Sequence, residues 1–284
     1  MGTLFALGAA CGFGISTPFA KYFLQTVDPW MLVGLMYMGG SIGLTPIYLL
    51  CNGFRWSPTS FRRGDERWLL GNLLAGGIAA PFLLMMGLQH TSAAVASLLL
   101  NFESVFTALV AWTIFRERWQ RQVLMGICLI TTGGILISHS SQTGMGFSWG
   151  ALAILGTALA WGIDSNFTVK IAHRDPLQIA IFKSGSAGLW NIAIATLVGQ
   201  SLPPLIIIIQ VCSMGFISYG LTYYCFSMAL RHIGASRAGA FFALSPLVGV
   251  TLAVFFLGEP FTVVIAIAAI LMSLGATFCA WEPN

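Results

Sequence analysis

The segment LQHTSAAVASLLLNFESVFTALVAWTIFRE (88–117) has a faint second copy in the segment LRHIGASRAGAFFALSPLVGVTLAVFFLGE (230–259). A shift of 142 positions (230 − 88) aligns the two segments without a gap. Both copies are long apolar stretches that end in a glutamate. The shift pairs identical residues along their length: Leu88 with Leu230, His90 with His232, Ala93 with Ala235, Ala96 with Ala238, Ala111 with Ala253 and Glu117 with Glu259.

Composition places the whole chain in a membrane. Of its 284 residues, 57% are hydrophobic and 8% are charged, and the mean hydropathy is +0.85. A soluble domain carries about 25% charged residues, so this chain could not cover a water-facing surface. Spans of about 20 apolar residues predict an all-α integral membrane protein of ten transmembrane helices. We place them at 3–22, 30–51, 68–89, 92–114, 121–139, 148–168, 177–198, 206–229, 234–257 and 260–281.

The basic residues alternate with these spans. Loops after the even-numbered spans carry eleven of the 13 Lys and Arg residues, and loops after the odd-numbered spans carry none. Basic loops stay on the cytoplasmic side of a membrane. The N- and C-termini are therefore both predicted to be cytoplasmic, and the apolar N-terminus is interpreted as the first span rather than a cleaved signal.

The repeat has an odd number of spans. Its two copies, 1–142 and 143–284, would each contain five helices, so they must enter the membrane from opposite sides. Glu117 then falls on the cytoplasmic face and Glu259 on the outer face. Inverted repeats are typical of secondary transporters that move around a central site, although channels and membrane enzymes can also contain repeats.

The tails of the fourth and ninth spans resemble a known family. Thr-Ile-Phe-Arg-Glu-Arg (113–118) and Phe-Phe-Leu-Gly-Glu-Pro (255–260), each followed by a Gly- or Ala-rich helix, resemble the drug/metabolite transporter superfamily, EamA type. The first tail departs from the usual Gly-Glu-Pro. The opening segment Phe-Gly-Ile-Ser-Thr-Pro-Phe-Ala-Lys (13–21) resembles the YddG branch of aromatic amino-acid exporters.

This resemblance implies a multi-pass protein of the bacterial inner (cell) membrane. It implies export of small metabolites, with aromatic and other neutral amino acids as the expected substrates, by alternating access through a central cavity between the repeats. Export of drugs or other metabolites is the alternative, and a channel is a more distant one. Ten spans already supply both halves of a transport unit, so we expect a functional monomer.

Helix-breaking and polar residues at membrane depth are the candidates for the cavity, because such residues are costly in lipid and usually face a cavity. Aromatic and Met side chains offer an adaptable apolar wall. The predicted substrate-binding residues are Phe13, Ser16, Thr17, Pro18, Pro81, Met85, Met86, Asn101, Trp161, Asp164, Tyr219, Tyr223, Ser245 and Pro246.

Each of three charged residues inside the spans has two possible roles. Glu103 is a possible coupling residue that binds a proton or a substrate amine, or a carboxyl bonded to a neighbouring helix. Asp164 meets a substrate amine, or pairs with Lys170 or another helix. Lys183 reaches the cytoplasmic interface, or has a buried partner such as Asp164.

Other function classes lack the residues they need. The sequence contains no nucleophile–base pair, phosphate loop or clustered metal-ligand motif, and none of its six cysteines forms a C-x-x-C pair. The net charge of +4 is distributed among the loops and does not form one patch. We therefore expect no enzymatic activity, cofactor, metal or nucleic-acid partner, and the expected partners are the lipid bilayer and a small-molecule substrate.

Overall fold

A computed structural model describes residues 1–55, 65–116, 120–140, 148–171 and 175–280. The described residues form helices and no strand. Thirteen α-helices follow in chain order: α1 (Gly2–Phe23), α2 (Pro29–Cys51), α3 (Asp65–Asn72), α4 (Ala80–His90), α5 (Ala93–Leu99), α6 (Phe102–Thr113), α7 (Arg121–Ser140), α8 (Trp149–Ile171), α9 (Pro176–Leu197), α10 (Leu205–Gly215), α11 (Thr222–Phe242), α12 (Ser245–Leu257) and α13 (Val263–Ala280).

The predicted membrane class is confirmed. Eight helical segments of the described chain are long and apolar enough to cross a membrane: Gly2–Phe23, Pro29–Cys51, Asp65–His90, Ala93–Thr113, Trp149–Ile171, Leu205–Gly234, Arg237–Leu257 and Val263–Ala280. They agree with eight of the predicted spans. Helix α11 is broken at Gly234, where φ is 79°, so its residues belong to two of these segments. Helices α7 and α9 occupy the other two predicted positions but are not among the eight segments.

Helix packing has the same pattern in both halves of the chain. Helix α1 packs on α11 and α12, and α8 packs on α4 and α6. Helices α2 and α9 pack on each other, as do α7 and α13. When the two halves are exchanged, each of these helix pairs corresponds to another of them or to itself. The α7–α13 pair shows this at single residues, because Gly133 of α7 fits against Met272 and Gly275 of α13 fits against Ile130.

Four interruptions shape the middle of the bundle. A π-helix, Leu73–Ala79, joins α3 to α4 and is followed by Pro81, and a second one, Phe216–Leu221, joins α10 to α11. Turns at 100–101 and 243–244 divide the fourth and ninth predicted spans. The sequence indicated the interruptions near Pro81 and Pro246, but the other two contain no proline. Helix α1 continues through Pro18.

Some sequence predictions lie outside the described residues. Glu117 and Arg118, in the first family-like tail, are among them, and so are Arg62, Arg63 and Arg174. The boundary between the predicted repeats, at 142–143, also lies outside the described part of the chain.

Candidate functional site

A cavity of about 550 Å³ lies in the centre of the helix bundle. It extends from Phe13 and Trp161 in mid-helix to Arg231, which is exposed on the face that carries Arg55, Arg116 and Lys170. We call this the basic face, and the other end of the bundle the opposite face. Lining residues include Phe13, Tyr37, Glu103, Trp161, Asp164, Ser165, Thr168, Lys183, Ser218, Tyr219, Thr222, Tyr223, Phe226, Arg231 and Phe242.

An ion pair forms the charged part of the cavity wall. Lys183 Nζ of α9 lies 2.5 Å from Asp164 Oδ2 of α8. Asp164 is 8% exposed, and its other oxygen, Oδ1, is buried without a hydrogen-bond partner in the described structure. An apolar environment strengthens the attraction between two such charges, so the pair is a strong polar point beside the aromatic part of the wall.

The position of Asp164 depends on the π-helix behind it. Asp164 packs against the bare Cα of Gly76, where a methyl group would collide with its carboxyl group. In a π-helix the carbonyl of Gly76 would accept a hydrogen bond from the backbone N–H five residues later, but that residue is Pro81, which has no N–H. The carbonyl instead accepts from Tyr37 Oη at 2.8 Å and Trp161 Nε1 at 3.3 Å. The π-helix thus fixes two cavity aromatics and makes room for the carboxylate.

Aromatic rings form the apolar part of the wall. Tyr37 stacks on Tyr219 with ring centroids 4.9 Å apart. Phe13 contacts both Trp161 and Phe242, at centroid distances of 5.9 and 5.3 Å. Rings in stacked and tilted arrangements present both faces and edges, so this wall suits an aromatic or aliphatic group.

Glu103 lies between this cavity and a smaller pocket of about 180 Å³. Ser165 Oγ donates to Glu103 Oε1 at 3.2 Å. The smaller pocket is built around the turns at 100–101 and 243–244, and Phe13, Glu103 and Phe242 line both spaces. The turns that divide two predicted spans therefore meet beside the cavity.

Residues from both halves are joined by hydrogen bonds at the opposite face. Glu259 accepts from the backbone N–H groups of Ala93 at 2.7 Å and Ala94 at 2.8 Å, which are the first two residues of α5. Lys21 Nζ donates to the carbonyls of Leu88 at 2.9 Å and Thr91 at 2.5 Å. The carboxylate therefore satisfies free N–H groups at the positive end of a helix dipole.

The predicted site residues divide into three groups. Phe13, Glu103, Trp161, Asp164, Tyr219 and Tyr223 line the cavity. Thr17, Asn101, Ser245 and Pro246 line the smaller pocket. Ser16, Pro18, Pro81, Met85 and Met86 line neither space.

Local packing explains the third group. Ser16 Oγ donates to the carbonyl of Phe13 within its own helix, and Pro18 is buried in α1. Met85 is completely buried in the core, whereas Met86 is half-buried outside both spaces. Pro81 acts from behind the wall through Gly76.

Sequence reasoning missed several lining residues. Tyr37 of α2 and Ser165 of α8 were not among the candidates, and Lys183 was considered only as a lysine that reaches the cytoplasmic interface or as a partner of Asp164. The identical Asp-Pro starts of α2 and α9 could have indicated that these helices occupy equivalent places. The residues of α2 and α9 that face the cavity could then have been predicted together as lining residues.

The chain matches a known transporter family along both of its halves. The EamA-like transporter family matches residues 1–139 and 148–281. The chain belongs to this family. It is 30% identical to an uncharacterized transporter of Methanothermobacter thermautotrophicus, over 99% of this chain and 86% of the relative.

Two further matches support the family assignment and the fold. The EamA-like chain is 26% identical to a probable amino-acid metabolite efflux pump of Salmonella typhimurium, over 64% of the chain and 66% of that relative. The fold of this chain also matches a protein crystal structure with a TM-score of 0.71 and 18% sequence identity, over 98% of this chain and 95% of the other.

Proposed function

We propose that this EamA-like protein is a secondary transporter that exports aromatic and other neutral amino acids. It works as a monomer in the bacterial inner membrane by alternating access. The observation that carries the proposal is a central cavity that reaches the basic face and combines one partly buried ion pair with an aromatic wall. A fixed polar point with an adaptable apolar surround is the usual chemistry of a small-molecule site.

Ten spans in two inverted repeats form the proposed transport unit. Helices α7 and α9 are the two spans that complete the count, since each packs along a partner helix that is long and apolar enough to cross the membrane. The double match to the family and the exchange pattern of helix contacts support the repeat. The π-helices at Leu73–Ala79 and Phe216–Leu221 also correspond under the 142-residue shift, to within one residue at their starts.

Orientation follows from charge. The basic face is cytoplasmic by the positive-inside rule, so the cavity is open toward the cytoplasm and closed toward the outside. Glu259 belongs to the second repeat and binds α5 of the first. Releasing this contact while the cytoplasmic ends approach each other would expose the same residues to the outside, which is the alternating-access cycle.

Amino acids are the proposed cargo for two reasons. The related efflux pump of Salmonella typhimurium is named for amino-acid metabolites. The ion pair also offers one partner for an ammonium group and one for a carboxylate. A drug or nucleoside would use the aromatic wall but would not need both charges.

Uptake into proteoliposomes tests the substrate class. Purified protein is reconstituted and offered radiolabelled phenylalanine, leucine, a nucleoside and a cationic drug in parallel, with protein-free liposomes as the control. We expect saturable uptake of the amino acids, which should be recovered unmodified. Uptake of only the nucleoside or the drug would overturn the substrate assignment, and uptake that does not saturate would indicate a channel.

A further inference from the structure

We propose that Asp164 and Lys183 together recognise the two charges of a zwitterion, and that their own ion pair re-forms when the carrier is empty. This inference rests on the proposed function. It adds the residues that select the substrate, the chemical class they select and the reason why the empty carrier can return. The substrate's ammonium group binds Asp164, its carboxylate binds Lys183, and its side chain lies on the aromatic wall.

The geometry leaves Asp164 ready for a second cation. Only its Oδ2 is bonded to Lys183, and Oδ1 has no partner in the described structure although it is buried. A buried polar atom without a partner is costly, so a ligand that donates to Oδ1 is favoured. An ammonium group carries three donors and can bind this carboxylate while Lys183 turns to the substrate carboxylate.

Lys183 can make this exchange because it is not enclosed. The lysine and the aspartate belong to different helices, α9 and α8, and both side chains line the same cavity. The lysine stem is long and flexible. A molecule entering from the basic face therefore meets both charges before it reaches Phe13 and Trp161 at the inner end.

Charge balance gives the exchange its selectivity. The empty site contains one positive and one negative charge that neutralise each other, and a bound zwitterion adds one of each. A substrate with a single charge leaves one protein charge without a partner in the middle of the membrane, which is costly. The charges of the Asp164–Lys183 site therefore sum to zero both with and without a bound zwitterion. Because of this, the loaded and the empty carrier can both change orientation, and transport needs no coupled ion and moves no net charge.

Two other charged residues line the cavity, and neither is part of the exchange. Glu103 is bonded to Ser165, and Arg231 lies at the exposed mouth where water screens it. Neither forms an ion pair with Asp164 or Lys183 in the described structure. The selectivity is therefore strict for the charged end of the substrate and loose for its side chain.

The direct test uses wild-type protein in proteoliposomes and three ligands with the same phenyl ring. Phenylalanine carries both charges, phenethylamine only the positive one and 3-phenylpropionate only the negative one. We expect protein-dependent transport of the two analogues to be slower by on the order of 100-fold, the factor for one uncompensated charge at mid-membrane. Phenylalanine uptake should not respond to a potassium diffusion potential imposed with valinomycin.

Variants assign the effect to the two residues. Lys183→Met and Asp164→Asn should each slow phenylalanine transport by on the order of 100-fold, because each leaves one charge unpaired. The matched controls Lys170→Met and Asp28→Asn make the same changes outside the cavity and should transport normally. Folding of each variant is checked by size-exclusion chromatography in detergent, and the ligand comparison in the wild type does not depend on it.

The outcomes separate this inference from the proposed function. Amino-acid transport with equal transport of the two analogues, or with a rate that follows the imposed potential, would overturn the zwitterion mechanism and leave amino-acid export standing. Folded Lys183→Met protein that still prefers phenylalanine over both analogues would also overturn it. If no amino acid is carried at all, the proposed function itself fails.

Discussion

Replacing Glu259 by glutamine should loosen the closure of the opposite face and shift the carrier toward its outward-open state. The carboxylate makes two charge-assisted bonds, to the N–H groups of Ala93 and Ala94, with N–O distances of 2.7 and 2.8 Å. A glutamine side chain has one acceptor oxygen and no charge. It can keep one bond but loses the other, together with the attraction to the helix N-terminus.

The size of the shift follows from these bonds. A hydrogen bond to a charged group contributes about 1.5–3 kcal/mol. Glu259 is partly exposed, and water screens part of the contribution, so we take about 2 kcal/mol for the bond that is lost. This free energy corresponds to a shift of roughly 30-fold in the ratio of outward-open to inward-open carrier.

Thiol labelling from outside measures this ratio. The six native cysteines are replaced, and a reporter cysteine is introduced at Ala20, which is 1% exposed and lies one residue before Lys21. A membrane-impermeant maleimide is then added to right-side-out vesicles. We expect the labelling rate of the reporter to rise by roughly 30-fold in Glu259→Gln, provided that opening limits labelling.

The matched control is Asp28→Asn. It removes an acidic charge from the same face, but the side chain of Asp28 makes no capping bond to α2. Labelling of the reporter should therefore not change in this variant. An equal rise in both variants would mean that surface charge controls access, and no rise in Glu259→Gln would refute the role of Glu259 as a closing contact.

Three further predictions concern the cavity wall and its supports. Gly76→Ala should abolish transport, because the added methyl collides with the Asp164 carboxyl group. The control Gly8→Ala should transport normally, because its methyl meets only a sulfur 3.7 Å away. Equal transport activity of the two variants would contradict the role of Gly76. Asp175→Ala removes the cap of α9 and should cost about 1 kcal/mol, seen as a lower melting temperature in detergent. Transport should not respond to a pH gradient in the wild type or in Glu103→Gln, whereas a response in the wild type that disappears in the variant would identify a coupling residue.

Much of the fold could be predicted because membrane physics leaves few choices. Apolar length determines where the spans lie, and eight of the predicted spans agree with described helical segments. The direction that the Lys and Arg residues assign to the spans stays a prediction. The interruptions were harder to predict. Pro81 and Pro246 mark two of them, but the turn at 100–101 and the π-helix Phe216–Leu221 contain neither Pro nor a polar run that would indicate a break. Their geometry depends on the helices packed around them.

The candidate site was only partly predictable for a related reason. Polarity and aromaticity selected Asp164, Trp161 and Tyr219, since such residues are unusual at membrane depth. They could not select Tyr37, whose place in the wall depends on the carbonyl of Gly76 in a different span. They also suggested Met85, which has the right chemistry but faces the core. Rotation of each helix about its axis decides these cases, and a nearly uniform apolar sequence carries little information about it.

Counterflow is the most direct measurement of the central claim, which is that one cavity serves the two sides of the membrane in turn. Proteoliposomes loaded with unlabelled phenylalanine are diluted into buffer that contains a trace of labelled phenylalanine. An alternating-access carrier should accumulate the label transiently above its equilibrium level, and the Lys183→Met variant should lose this overshoot. Label that rises only to equilibrium in the wild type, at a rate that does not saturate, would contradict the account.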